Sequence, residues 1–279
     1  LKPAAYQKEI ENADEIKKSY RYWRIRIFYS MYIGYAFYYL TRKSFTFAMP
    51  AMVETLGFSK ADLGILGSVL YLTYGISKFL SGIISDKSNP RYFMSIGLIL
   101  TGVCNILFGF SSSIYAFGIF WGLNGWFQGF GWPPCAKLLT HWYSQSERGT
   151  WWGFWNTCHN VGGALIPLIT AMVCQGFGWR FSMFLPGIAC ILAGLFLLNR
   201  LRDTPQSLGL PSIERYHSCG NFIPKTEEGD TLTTKEILFT YVIKNYYIWI
   251  LAIAYFFIYI IRTAAVSYTH LRAHETRHD

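Results

Sequence analysis

The chain has 279 residues, of which 52% are hydrophobic, 19% aromatic and 15% charged, and its formal net charge is +9. The apolar residues gather in blocks of about 20, the length that spans a bilayer as a helix, which excludes an ordinary soluble domain and indicates a polytopic membrane protein. The basic residues fall between the blocks, where they orient membrane helices, so the positive charge gives no reason to expect a nucleic-acid partner.

Residues 1–26 are charged and tyrosine-rich, without the short apolar core and small-residue cleavage site of a secretory signal, and read as a cytoplasmic N-terminal segment. Membrane spans follow near Ile27–Met49, Leu63–Ser85, Tyr92–Phe110, Ile114–Leu139, Trp151–Cys174 and Phe181–Asn199, which makes residues 27–199 a six-helix bundle. Lysine and arginine in the short loops collect on one side, at Lys87, Arg91, Arg148, Arg200 and Arg202 together with the N-terminal segment. The positive-inside rule therefore places both the N-terminus and residues 200–242 in the cytoplasm. That stretch, with Pro205, Pro211, Gly220, Pro224 and Gly229, reads as an interdomain linker. A seventh span covers 243–265.

The polar residues 266–279 carry His270, His274 and His278 at helical spacing, but their wording resembles translated adapter or vector sequence, so they are read as a non-native tail rather than a zinc face. The cysteines Cys104, Cys135, Cys158, Cys174, Cys190 and Cys219 lack ligand-like spacing. Neither a metal, a disulfide framework nor a cofactor is expected.

Inside the spans, polar residues recur on helical faces. On the first, Tyr35, Tyr38, Tyr39 and Arg42 stand at i, i+3, i+4 and i+7; on the second, Tyr71, Tyr74 and Lys78 repeat the spacing; on the fifth, Trp152, Asn156 and His159 do so again. Lys78 lies roughly 12 Å along its helix from Asp86, near the middle of a hydrocarbon core about 30 Å thick, where snorkelling is difficult. Arg42 lies about 22 Å and Arg262 about 28 Å from the starts of their spans, so for these two snorkelling competes with a lining role. Lys43 is offset by about 100° from Arg42 and points elsewhere. Gly122, Gly125 and Gly129, beside Asn124, Trp126 and Gln128, are read as close-packing positions.

One constant offset relates Arg24 to Lys244, Ile33 to Ile253, Tyr35 to Tyr255, Phe37 to Phe257, Tyr39 to Tyr259 and Arg42 to Arg262. The seventh span thus repeats the first, as in a parallel duplication whose second half is mostly missing from this chain. A guanidinium inside hydrocarbon is costly, and two at matching places suggest a shared task.

Gly82-Ile-Ile-Ser-Asp86-Lys87-Ser-Asn-Pro-Arg91, between the second and third spans, resembles the loop signature of the major facilitator superfamily. The stretches Gly34–Lys43, Tyr74–Phe79, Glu147–Gly163 and Arg200–Gly209 narrow the resemblance to the organophosphate:phosphate antiporters, and their wording looks nearer to the hexose-phosphate members, the related sensor included, than to the glycerol-phosphate carrier. The resemblance implies an all-α membrane fold, here a six-helix N-terminal half plus the first helix of the second half. It implies a non-enzymatic transporter of the bacterial inner membrane, monomeric when complete, that exchanges a sugar phosphate or glycerol phosphate for inorganic phosphate. Arg42, Lys78, His159, Arg262, Tyr35, Tyr38, Tyr39 and Tyr74 would then bind substrate, and Gly82, Asp86, Lys87 and Arg91 would form a conformational latch toward the other half. The alternative is a membrane receptor that binds hexose phosphate and reports it to a signalling kinase.

Overall fold

The structure is a computed structural model that describes residues 2–217 and 236–275, except for the side chains of residues 60, 165–168, 171, 237, 241 and 262–275. Cys219, the middle of the expected linker and the side chains of Arg262, His270, His274 and His278 lie outside the described residues. The chain divides into two compact units, Leu1–Ile223 and Pro224–Asp279.

The first unit is built from α1 (Ala13–Leu56), α2 (Lys60–Asp86), α3 (Pro90–Phe110), α4 (Ile114–Gln128), α5 (Trp132–Trp142), α6 (Gln145–Phe177), α7 (Phe181–Arg200) and a short α8 (Ile213–His217). Local chemistry sets the boundaries. The Asn12 side chain accepts from the Asp14 and Glu15 amides at the start of α1, and Gly57, at φ 68°, closes it in a left-handed conformation that costs glycine little. Ser59 and Asp62 form a capping box on α2, and Asn89 with Pro90 starts α3. Three described helices, Ala61–Asp86, Pro90–Phe110 and Phe181–Arg200, are long and apolar enough to cross a membrane by length and hydropathy alone. α1 dilutes its apolar window with the polar residues described below.

The fourth expected span, Ile114–Leu139, is two helices. Gly129, Gly131, Pro133 and Pro134 crowd its middle, and proline supplies no N–H to continue the ladder, so α4 ends at Gln128 and α5 restarts at Trp132. Ser77 Oγ of α2 donates to the Trp126 carbonyl (2.5 Å) and Ser81 Oγ to the Gly129 carbonyl (3.0 Å), so the break is satisfied by the neighbouring helix rather than by lipid. Close approach of α2 and α4 depends on the missing side chain at Gly125, where a Cβ would lie 2.5 Å from the Leu70 carbonyl. α3 and α7 meet in the same way.

The end of the bundle carrying Asp86, Arg91 and Arg200 is called the basic end here. Residues just past 199, read above as the start of the linker, belong to the first unit. Asp203, almost wholly buried, lies 3.8 Å from Lys137 Nζ and accepts from the Ala4 amide (2.9 Å), while its carbonyl accepts from Trp142 Nε1 (3.2 Å). Buried polar groups need such partners, and supplying them ties this segment to α5 and to the residues before α1. In the second unit a π-helical turn (Ile237–Ile243) precedes α9 (Tyr246–Glu275). α9 continues past the expected end at Ala265, consistent with the absence of glycine and proline from Val266–Glu275.

Glu147 of the α6 capping box pairs with Arg24 of α1 and with His217 Nε2 (3.4 Å). Burial pushes its carboxyl up, but the hydrogen bond and charge of Arg24 outweigh this and hold it below the ordinary 4.5. A depressed carboxylate contributes stability above its unfolded pKa and loses it as pH falls through the folded value. Thermal unfolding in detergent should therefore show wild type more stable than Glu147→Gln at pH 7, with the gap closing below about pH 4. A gap that persists in acid would rule out the ion pair as its source.

Candidate functional site

Arg42 is 8% exposed, deep in the first unit. Its Nε donates to Gln128 Oε1 (3.0 Å), and its Cζ lies 4.2 Å from the centroid of the Tyr74 ring and 4.9 Å from that of Tyr39. Aromatic faces stabilise a guanidinium, but they do not neutralise it. Nη2 is buried without a hydrogen-bond partner, and among the described residues no carboxylate pairs with this side chain. Lys78 shares the Tyr74 ring, with Nζ 5.8 Å from its centroid and 5.3 Å from that of Trp132. Two cations therefore flank one phenol.

A chain of amides holds Arg42 in place. Gln128 Nε2 donates to Asn124 Oδ1 (3.1 Å) and Thr41 Oγ1 (3.0 Å), Asn124 Nδ2 to Asn105 Oδ1 (3.3 Å), and Asn105 Nδ2 to the Met183 carbonyl (2.8 Å). Each amide turns its oxygen toward the cation and its nitrogen away. The aligned dipoles run through α4 and α3 to α7 and compensate part of the desolvated charge without neutralising it. Gln128 and Asn124 were read as neighbours of packing glycines; their polarity at i, i+4 inside an apolar span was the signal of a further role.

His159 sits in an aromatic wall, its ring centroid 5.0 Å from that of Tyr35, 4.8 Å from Tyr39 and 5.4 Å from Trp155, and its Nδ1 is 2.8 Å from the Asn156 carbonyl. Of the residues expected to line the site, the structure brings together Arg42, Lys78, Tyr35, Tyr39, Tyr74 and His159. Tyr38 is placed elsewhere: it is fully buried, and its hydroxyl donates to the Met94 carbonyl of α3 (2.9 Å). Tyr71 of α2 is 56% exposed. Arg262 belongs to α9, in the other unit, and its side chain lies outside the described residues. Trp132 and Trp155, which sequence reasoning passed over, complete the wall. No pattern marked them among so many aromatics.

A cavity of about 450 Å³ lies between α2 and α5, lined by Lys78, Gly82, Asp86, Trp132, Lys137 and His141. It connects Lys78 with the basic end. There Asp86 and Lys87 are exposed, the Asp86 carbonyl accepts from Lys137 Nζ (3.2 Å), and Arg91 Nε donates to the Leu198 carbonyl (2.5 Å) within the same unit.

The site is thus a helical bundle in which a buried guanidinium, Arg42, shares the Tyr74 ring with Lys78, which in turn lines the cavity. The chain belongs to the Major Facilitator Superfamily, which residues 31–278 match. It is 60% identical over 287 residues to the "Probable hexose phosphate transport protein" of Chlamydia pneumoniae, covering 100% of this chain and 63% of that protein. It is 51% identical over 262 residues to the "Membrane sensor protein UhpC" of Escherichia coli (strain K12), covering 94% and 60%. The chain thus spans less than two thirds of the length of these relatives. A crystal structure of a bacterial homolog of the human lysosomal transporter Spinster, inward-facing and unoccupied, shares the fold with a TM-score of 0.60 at 20% identity, over 66% of this chain and 44% of that one.

Gln128→Leu should remove the amide oxygen that accepts from Arg42 Nε and put an apolar side chain of comparable size in its place. Leaving a buried charged donor unmet costs about 2–3 kcal/mol, so the melting temperature in detergent should fall by several degrees. An unchanged melting temperature would show that the amide chain does not hold the arginine.

Proposed function

We propose that this chain supplies the first six-helix half, and the first helix of the second, of a carrier that exchanges a sugar phosphate, hexose phosphate first, for inorganic phosphate across the bacterial inner membrane. The observation that carries this reading is Arg42, buried with Nη2 unpartnered and no carboxylate beside it. A desolvated guanidinium in that state favours an anion able to accept two hydrogen bonds at once, which describes a phosphoryl group. The similarity to a hexose phosphate transport protein supports the same substrate class.

In this reading the phosphoryl group is gripped by Arg42 and, from the second half, by Arg262. Lys78 adds a point charge, His159 donates or accepts one hydrogen bond, and Tyr35, Tyr39 and Tyr74 line the path of the organic part. The N-terminus and the basic end face the cytoplasm, so the cavity reaching Lys78 is the inward route, and the complete protein works as a monomer. With the site empty the paired cations lack a counter-ion, and closing the halves around them is costlier than closing around a phosphate. Exchange is thereby favoured over net uptake. Asp86, Lys87 and Arg91 act in the same reading as a latch between the halves. The likeness to a membrane sensor favours one second reading, a receptor that binds hexose phosphate without moving it.

In liposomes, the complete protein should exchange labelled phosphate, and sugar phosphate uptake should require phosphate inside. Equal uptake with and without internal phosphate rejects the coupling account; binding without exchange selects the receptor. Arg42→Lys keeps the charge but loses the planar fork, and exchange should fall on the order of 10–100-fold.

Equilibrium binding of hexose phosphate should weaken by about tenfold in Lys78→Ala. It should change little in Lys43→Ala, since Lys43 stands outside the ring cluster. Equal losses would show that the lining residues are wrongly chosen.

A further inference from the structure

Three arginines from different segments converge on the C-terminal end of α7. Arg26 of α1 donates through Nη2 to the Asn199 carbonyl (3.1 Å) and to Asn199 Oδ1 (3.3 Å). Arg202, just beyond the helix, donates through Nη1 to the carbonyls of Asn199 (3.1 Å) and Leu201 (2.7 Å). Arg91 of α3 donates through Nε to the Leu198 carbonyl (2.5 Å). A helix C-terminus carries only about half a negative charge, so it cannot balance three guanidinium groups.

Carboxylates of the described residues do not make up the difference. Among the described residues the ion pairs involve Arg24, Lys137, Arg148, Arg215 and His217, and none includes Arg26, Arg91, Arg200 or Arg202. Arg202 registers the excess: burial, then the charges of Arg91 and Arg26, hold its pKa below the ordinary arginine value. The Nε of Arg26 is buried without a partner. Each guanidinium has five N–H donors, and the carbonyl contacts use only some of them.

The cluster also ends an apolar track. Leu185, Ile188, Leu192 and Leu195 are exposed along one face of α7, and the same alternation of three and four residues continues to Asn199, with Arg202 just past the end of the helix. Aromatic rings of the kind found at membrane interfaces stand beside the charges: Trp23 lies 4.8 Å from Arg26 Cζ and 5.1 Å from Arg202 Cζ, and Tyr92 lies 5.2 Å from Arg91 Cζ.

We propose that Arg26, Arg91 and Arg202 form a headgroup site for an anionic phospholipid, whose phosphate bridges the guanidinium groups while an acyl chain lies along the Leu185–Leu195 face of α7. Basic pockets between membrane helices suit such headgroups, and the apolar track supplies what a free anion would not use. The site shares no residue with the Arg42 cluster. It would tie α1, α3 and α7 together at the basic end through a lipid rather than a side chain.

The test is lipid retention by the purified chain in mixed micelles, counted by native mass spectrometry with phosphatidylglycerol or phosphatidylcholine. Phosphatidylglycerol should be retained preferentially. Arg91→Gln and Arg202→Gln should each reduce that retention about fivefold, whereas Arg215→Gln, which removes an equal charge paired with Glu9, should not. Equal retention of both lipids, or equal loss in all three variants, overturns the proposal. Stabilisation of the chain by inorganic phosphate as strong as by phosphatidylglycerol would assign the cluster to free anions and overturn it as well. Should the variants not fold, wild type decides: raising salt to about 0.5 M should release phosphatidylglycerol and leave phosphatidylcholine unaffected, and salt-insensitive retention rejects a headgroup site.

Discussion

The structure of the first unit depends on one unneutralised charge, the Arg42 guanidinium, which no carboxylate among the described residues pairs with. Removing such a charge from water costs several kcal/mol, and the surrounding residues are the ones that reduce this cost without cancelling it. Tyr39 and Tyr74 present ring faces, Gln128 presents a carbonyl, and the amides behind Gln128 align their dipoles away from the charge. A carboxylate in place of Gln128 would satisfy the arginine permanently. The amide leaves it in want of an anion, which is what the proposed binding of a phosphate ester would use.

That arrangement depends on a helix being broken. Gln128 is the last residue of α4 and Trp132 the first of α5, so the glycine and proline run between them sets both the acceptor for Arg42 and the ring beside Lys78. An unbroken helix would carry the two residues about 40° apart on one continuous surface, four positions along. The break instead restarts the helix at Trp132, and the serines of α2 accommodate its freed carbonyls. Here the irregular backbone lies against protein, next to the cavity that ends at Lys78.

At the basic end, charges that sequence reading assigned to topology have individual structural work. Arg24 reaches Glu147 and Arg148 reaches Glu214, and Lys137, inside the expected fourth span and not counted in that reading, reaches the carbonyls of Asp86 and Ser88 and the carboxylate of Asp203. Positive-inside charge and specific pairing are thus the same residues seen at two scales. The arginines at the end of α7 meet backbone carbonyls but, among the described residues, no carboxylate.

Sequence alone determined the membrane character, most of the helix positions and the identity of Arg42, Lys78 and His159 as residues out of place in hydrocarbon, because each follows from local composition and from the 3.6-residue period. It also determined that Tyr35 and Tyr39 share a face with Arg42, since spacing within one helix is fixed by its geometry. Which neighbour covers a face is not a local property. Tyr38 lies on the same stripe of α1 by spacing, yet it turns its hydroxyl to Met94 because α3 packs there, while Gln128 and Trp155 join the site because α4 and α6 bring them to α1. The folded N-terminal part of the linker was equally illegible, because Asp203 gains meaning only beside Lys137, far away in the chain. Tertiary packing decided these points: the free energy of a buried polar group depends on the partner that arrives from another helix, and periodicity carries no information about that partner.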